Sequence, residues 1–270
     1  ASGHVQFLEF TPYSRQLNPR DASKPLQSGL SPLSRTISQR STRTHRASVL
    51  STHGFFSPQS RLLAGSRSVR DAARALDADG RLRRLDGDLT YHDDMVKLTL
   101  RTEATVRHQV LASARAHVPA AYCLGLAQGT PDKNKAVVAA LLTAKNFTFR
   151  TFEYTVSGTV EVHVTNRAGP YRHPIFQTII QEQLFHQHER MAIDELTRGQ
   201  FNPMPIGVLA IVATAVECGL HDWSSGVLER KGNTFTTDEW SSVYKKHVKS
   251  LNTMKKVRPD MFAAWTRKLY

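Results

Sequence analysis

Met204–Val216 is a run of thirteen residues without a charge, and it restricts the fold of this 270-residue chain more than any other feature. It lies within FNPMPIGVLAIVATAVECGLHDWSSG (201–226), with Pro203 and Pro205 flanking Met204 at its start and Glu217 and Asp222 closing it. A helix that spans a membrane needs about 20 apolar residues. The run is too short for that and reads as a core helix surrounded on nearly all sides. Gly207, Ala210, Thr214, Glu217 and His221 recur at alternating intervals of three and four, so they form one narrow line along that helix. Such a line admits a neighbouring helix at close range or walls a groove. Glu217 and His221, one turn apart at its end, are the candidate polar site. They are spaced to interact directly, and His221 stands where a helix C-terminus favours positive charge. Beyond them, Trp223 reads as packing back on the core and Gly226 as letting the chain turn.

Other segments supply the helices that would cover this one. SVRDAARALDADG predicts a short helix stopping at Gly80. A longer helix follows, with Thr90 or Asp93 as N-cap and Val96, Leu100, Val106, Val110, Leu111 and Val118 as its apolar positions, ending before Pro119. Thr130, Pro131 and Asp132 give the strongest helix start in the chain, with Val137, Val138, Leu141 and Leu142 on one face. Pro174 opens an apolar stripe through Ile175, Phe176, Ile179, Ile180, Leu184 and Phe185. Thr236 and Glu239 fit a capping box ahead of Trp240, Tyr244, His247 and Leu251. The opposite face of that last long helix carries Lys245, Lys249 and Lys256, with Lys246 beside it. Residues 147–168 differ, being β-branched and aromatic; a hairpin turning at Ser157-Gly158 and a long loop both fit. The fold class read from these patterns is mainly α: one compact helical domain over 71–270, with a small β-hairpin or long loop at 147–168.

Residues 1–70 read as a disordered basic tail. Serine, threonine and proline fill 24 of these 70 positions, and no apolar period persists. Ten Lys/Arg face two acids there, and eight face one over 241–270, whereas 71–240 hold eighteen against twenty. The net charge of +13 thus belongs to the two ends. An anionic partner, nucleic acid or an acidic protein, would be met by Arg43 and Arg46 in the tail and by Lys245, Lys246, Lys249 and Lys256 on the last long helix. Arg43, Arg46 and Ser48 have basophilic-kinase spacing, so Ser48 is a candidate phosphosite whose phosphate would oppose that charge. The same Arg- and Ser-rich composition fits a mitochondrial presequence. Two cysteines cannot form a disulfide framework, which favours an intracellular setting, nuclear or cytoplasmic.

Signals for chemistry are weak. His186 and Glu189, with Glu217 and His221, give two carboxylate–imidazole pairs, but one is reversed and the other spaced by four, unlike a di-iron bundle site. His186 and His188 project about 200° apart on a helix, so no metal set is assigned. Cys218 sits in an apolar helix, where free cysteine is usually a small core residue. No glycine-rich phosphate loop is present. No catalytic residue and no cofactor is expected.

YRHPIFQTIIQEQLF, FNPMPIGVLAIVATAVECGLHDWSSG and the trio Phe235, Tyr244 and His247 resemble a fungal domain family of unknown function expanded in mushroom-forming basidiomycetes. The likeness is strongest over 171–251, weaker over about 85–150, and leaves 1–70 outside. It implies an all-helical intracellular domain and no activity. The sequence thus points first to a non-enzymatic helical interaction module with basic ends. The alternatives are a small-ligand or metal site, enzymatic or not, near Glu217 and His221, or a structural module that oligomerises.

Overall fold

The computed structural model of the chain describes residues 27–125, 129–157, 161–186, 190–230 and 235–270. They form two compact units, one from the described residues up to Thr42 with Arg61–Arg101 and one from those of Arg43–Ser60 with Thr102–Tyr270. The helical periods alone had indicated one domain.

The first unit is built from the N-terminal part of α1 (Pro32–Ser48), most of α2 (Pro58–Arg74), α3 (Asp79–Gly87) and α4 (Leu89–Leu100). Ile37, Val69, Leu85, Tyr91 and Met95 are among its buried core. Residues 32–48 and 58–74 are therefore helical where the composition indicated a disordered tail through residue 70; residues 1–26 lie outside the described residues. Hydrogen bonding accounts for the difference. Ser34, Ser38 and Ser41 are buried on α1, with Ser34 Oγ 2.8 Å from Tyr91 Oη and Ser41 Oγ 2.9 Å from Thr99 Oγ1. Hydroxyls that find partners can be buried at modest cost, so this helix packs without an apolar stripe. Two boundaries also differ from expectation. Asp88, rather than Thr90 or Asp93, caps α4 by accepting from the Tyr91 amide at 2.9 Å. Gly80 lies inside the first turn of α3 and does not end a helix.

The second unit is organised around α8 (Ile206–His221), in which thirteen of sixteen residues are buried. Packed on it are a π-helical turn at Val49–His53, α5 (Thr102–Ala121), α6 (Pro131–Leu142), α7 (Pro174–Gln181) and α9 (Thr237–Val257), with α10 (Pro259–Leu269) following α9. Gly207 permits a close approach to α8. A Cβ there would collide with the Ser51 carbonyl oxygen of the π-helical turn. The small-residue line thus begins against residues 49–53. Thr130 and Pro131 start α6 as predicted, with Thr130 Oγ1 accepting from the Lys133 amide. Thr236 occupies the N-cap of α9 without a capping bond from its hydroxyl. Pro119 lies within the last turn of α5, past the expected stop. The segment at 147–168 is a hairpin: β1 (Thr151–Ser157) pairs antiparallel with β2 (Glu161–Ala168), with Val156 opposite Val162 and a bulge at Glu153/Tyr154. Its tip, which includes the expected turn residue Gly158, lies outside the described residues. Trp223 is buried, and Gly226 turns the chain at φ +89°.

Candidate functional site

Three side chains from distant parts of the sequence meet at the C-terminal end of α8. Gly169 (φ +68°) and Tyr171 (φ +58°) turn the chain between β2 and α7, which brings the tyrosine ring under α9. Tyr171 Oη lies 2.9 Å from His247 Nδ1, and His247 Nε2 lies 2.8 Å from Glu217 Oε2. A carboxylate can only accept, so Nε2 carries the imidazole proton and donates to Glu217, and Nδ1 accepts from the tyrosine hydroxyl. His247 is fully buried, and Phe147 meets its ring edge-on at 6.0 Å. Burial pushes its pKa down; Glu217 opposes the shift, and the Lys145 cation adds to it. Burial likewise raises the Tyr171 hydroxyl. Both imidazole nitrogens are engaged, so His247 locks α8, α9 and the β2–α7 turn together and is not a free base or ligand.

Lys145 adjoins this group. It follows α6 with Ala144, both at positive φ (+57° and +49°), and its Nζ donates to the Lys246 carbonyl at 3.2 Å and to Ser250 Oγ at 3.0 Å. Its pKa is lowered, first by burial, then raised in part by Glu217 and lowered by Lys246. The partner of Glu217 is therefore His247, thirty residues away, while His221 is exposed and meets the edge of Trp240 at 5.8 Å. Buried Cys218 has its thiol pushed up to about 12, chiefly by burial and then by Asp222, which suits a core residue rather than a nucleophile. Asp222 itself is 1% exposed and takes a bidentate pair of bonds from Arg115 of α5, at 2.7 and 3.2 Å.

The basic residues divide into two groups. Arg43 lies 3.5 Å from Asp194, and Arg46 donates to Gln109 at 2.8 Å; Ser48 is half-buried at the end of α1. By contrast Lys245, Lys246, Lys249 and Lys256 are exposed on α9, opposite buried Trp240, Tyr244, His247 and Leu251. Among the described residues none of these lysines pairs with an acid. No group of three or more His, Cys, Asp or Glu side chains suited to a metal occurs among the described residues; His188 and Glu189 lie outside them. No helix of the described residues is long and apolar enough to cross a membrane.

A second polar region lies along the end of α5. A cleft of about 200 Å³ is lined in part by Tyr122, Cys123, Asn146, Arg150 and His173. His173 caps α7, its Nδ1 accepting from the Ile175 amide at 3.3 Å, and its ring stacks on Tyr122 at 4.7 Å. Burial lowers its pKa from 6.5 to about 4. Between those values the unfolded chain binds a proton that the folded chain does not. Stability is therefore present above about pH 6.5 and is lost as pH falls toward about 4. At about 1.4 kcal/mol per pH unit, and reduced by solvent screening at this half-buried ring, the effect is on the order of 2–3 kcal/mol. His173→Asn keeps a capping acceptor and removes the titration, so its thermal midpoint should fall less steeply over this range; acid slopes identical to wild type would contradict the assignment.

Lys145 and Arg150 carry no signal of a site in the sequence, and Tyr171 and His173 stand out there only within the YRHP helix start. Gly169-Pro170 ahead of Tyr171 was the available signal of a turn that places a side chain, but nothing local tied it to His247.

A family model described as a domain of unknown function (DUF6532) matches residues 40–254. The match takes in 40–70, which the sequence resemblance had left outside, in keeping with the buried residues of α1, the π-helical turn and α2. No curated protein and no solved structure matches the chain.

Proposed function

Because the chain belongs to the DUF6532 family, whose function is undefined, its role has to be read from its own surface, and we propose that it is a non-enzymatic helical module whose helix α9 binds nucleic acid. The observation that carries this reading is the lysine face of α9, which pairs with no acid among the described residues. Lys245, Lys249 and Lys256 fall on one line, flanked by Lys246 and Lys255, and no acid occurs on α9 after Glu239. At 1.5 Å per residue the line from Lys245 to Lys256 is about 16 Å long, the axial length of about five phosphates of one strand. Lysine is a point charge without a planar fork, so the contact is with phosphate rather than with base edges.

Arg43 and Arg46 contribute less to this reading, since each engages its own chain. A ligand site at Glu217 and His221 has less support, since Glu217 bonds His247 and His221 meets the edge of Trp240. The resemblance extends the proposal to an intracellular fungal protein, nuclear or cytoplasmic, with its two cysteines free.

Fluorescence anisotropy with short labelled duplexes and single strands tests the proposal. Wild type should bind at low salt. The triple variant Lys245→Gln/Lys246→Gln/Lys249→Gln should bind about a hundredfold more weakly near 0.1 M salt, the loss of three phosphate contacts. Absence of binding at low salt would refute it. Tighter binding to poly-glutamate would move the reading to an acidic protein partner.

A further inference from the structure

We propose that the cleft at the end of α5 binds a small carboxylate carrying a ring-sized apolar body. At about 200 Å³ it exceeds the roughly 150 Å³ that accommodates benzene. Ala121, Val137, Leu141 and Phe152 supply apolar wall. The polar lining sorts into committed and free groups. Tyr122 Oη donates to the Phe147 carbonyl at 2.8 Å. Asn146 Nδ2 donates to the Ala140 carbonyl at 2.9 Å, and its Oδ1 accepts from Arg167 at 3.0 Å. Two donors remain. The Arg150 guanidinium has no acceptor among the described residues, and His173, whose Nδ1 is an acceptor, carries its proton on Nε2, which has no partner there either. No Asp or Glu lines the cleft. A site with an apolar wall, one cation, one further donor and no acid selects an anion with an apolar body.

Backbone conformation adds to this, although Lys145 and Tyr171 also serve the His247 cluster. Cys123 (φ +53°) is itself in the lining, Ala144 and Lys145 immediately precede Asn146, and Tyr171 lies two residues before His173. Four of the six described non-glycine residues at positive φ thus sit in or beside this lining. Strain of that kind gathers where a chain is held for ligand contact.

Benzoate and phenylacetate are the probes, with benzamide and acetate as comparators, measured by calorimetry on the full chain. The two ring-bearing carboxylates should bind saturably, in the millimolar range or tighter, and both comparators at least about tenfold more weakly. Arg150→Gln, at an exposed position, should weaken benzoate about tenfold without changing the circular dichroism. Benzoate should also slow N-ethylmaleimide addition at Cys123, which is exposed, while buried Cys218 stays unmodified. Absence of saturable binding by both carboxylates, equal affinity in Arg150→Gln, or an unchanged alkylation rate would overturn the proposal. These outcomes are independent of nucleic-acid binding by α9.

Discussion

Replacing Arg115 by methionine is expected to destabilise the second unit by about 4 kcal/mol. The reason lies in how unequally the pair is buried. Asp222 is 1% exposed and Arg115 18%. Loss of the arginine leaves a carboxylate in the interior without its cation, whereas loss of the aspartate leaves a guanidinium that can reach water. Asp222→Asn should therefore cost less, about 2 kcal/mol, and the double variant Arg115→Met/Asp222→Leu less than the sum of the singles, because no charge is stranded. Trp223, Trp240 and Trp265 all belong to the second unit, so tryptophan fluorescence in urea follows that unit alone. An Arg115→Met variant within about 1 kcal/mol of wild type would show that the bidentate pair is not what ties α5 to the exit of α8.

Gly207→Ala should cost about 3 kcal/mol by the same measurement. The added methyl would meet the backbone of Ser51 and Leu50, which cannot rotate away as a side chain can. Relief requires moving either the π-helical turn or α8, and α8 is the most buried element of the unit. Gly199→Ala is the matched control, since nothing lies within 4 Å of its added carbon, and it should stay within about 0.5 kcal/mol of wild type. Equal stability of the two variants would mean that Val49–His53 does not hold against α8.

The features that were legible in the sequence are those whose signal is local. The charge-free run became α8 because its length excludes a span and its faces are all apolar. Thr130-Pro131 became the start of α6 because capping and proline chemistry act within one turn. The basic face of α9 follows from a simple 3.6-residue period. What the sequence hid was encoded across distance. Ser34, Ser38 and Ser41 occupy core-facing positions on α1, so composition there resembles a solvated tail; burial of Ser34 and Ser41 depends on Tyr91 and Thr99, more than fifty residues on, while Ser38 accepts from Gln27. Glu217 has His221 one turn away and nevertheless bonds His247, because α9 places an imidazole directly against the end of α8. The hairpin could not be separated from a long loop, since alternation over 160–164 fits either until the pairing of β1 with β2 is known.

Whether the lysine face of α9 lands on phosphates, as we propose, is read from the salt dependence of binding. Each phosphate contact contributes about 0.9 to the slope of log affinity against log salt on duplex DNA. Wild type and the triple variant at Lys245, Lys246 and Lys249 should therefore differ in slope by about 3, with the variant the shallower. Equal slopes for the two proteins would contradict the claim, whatever their affinities.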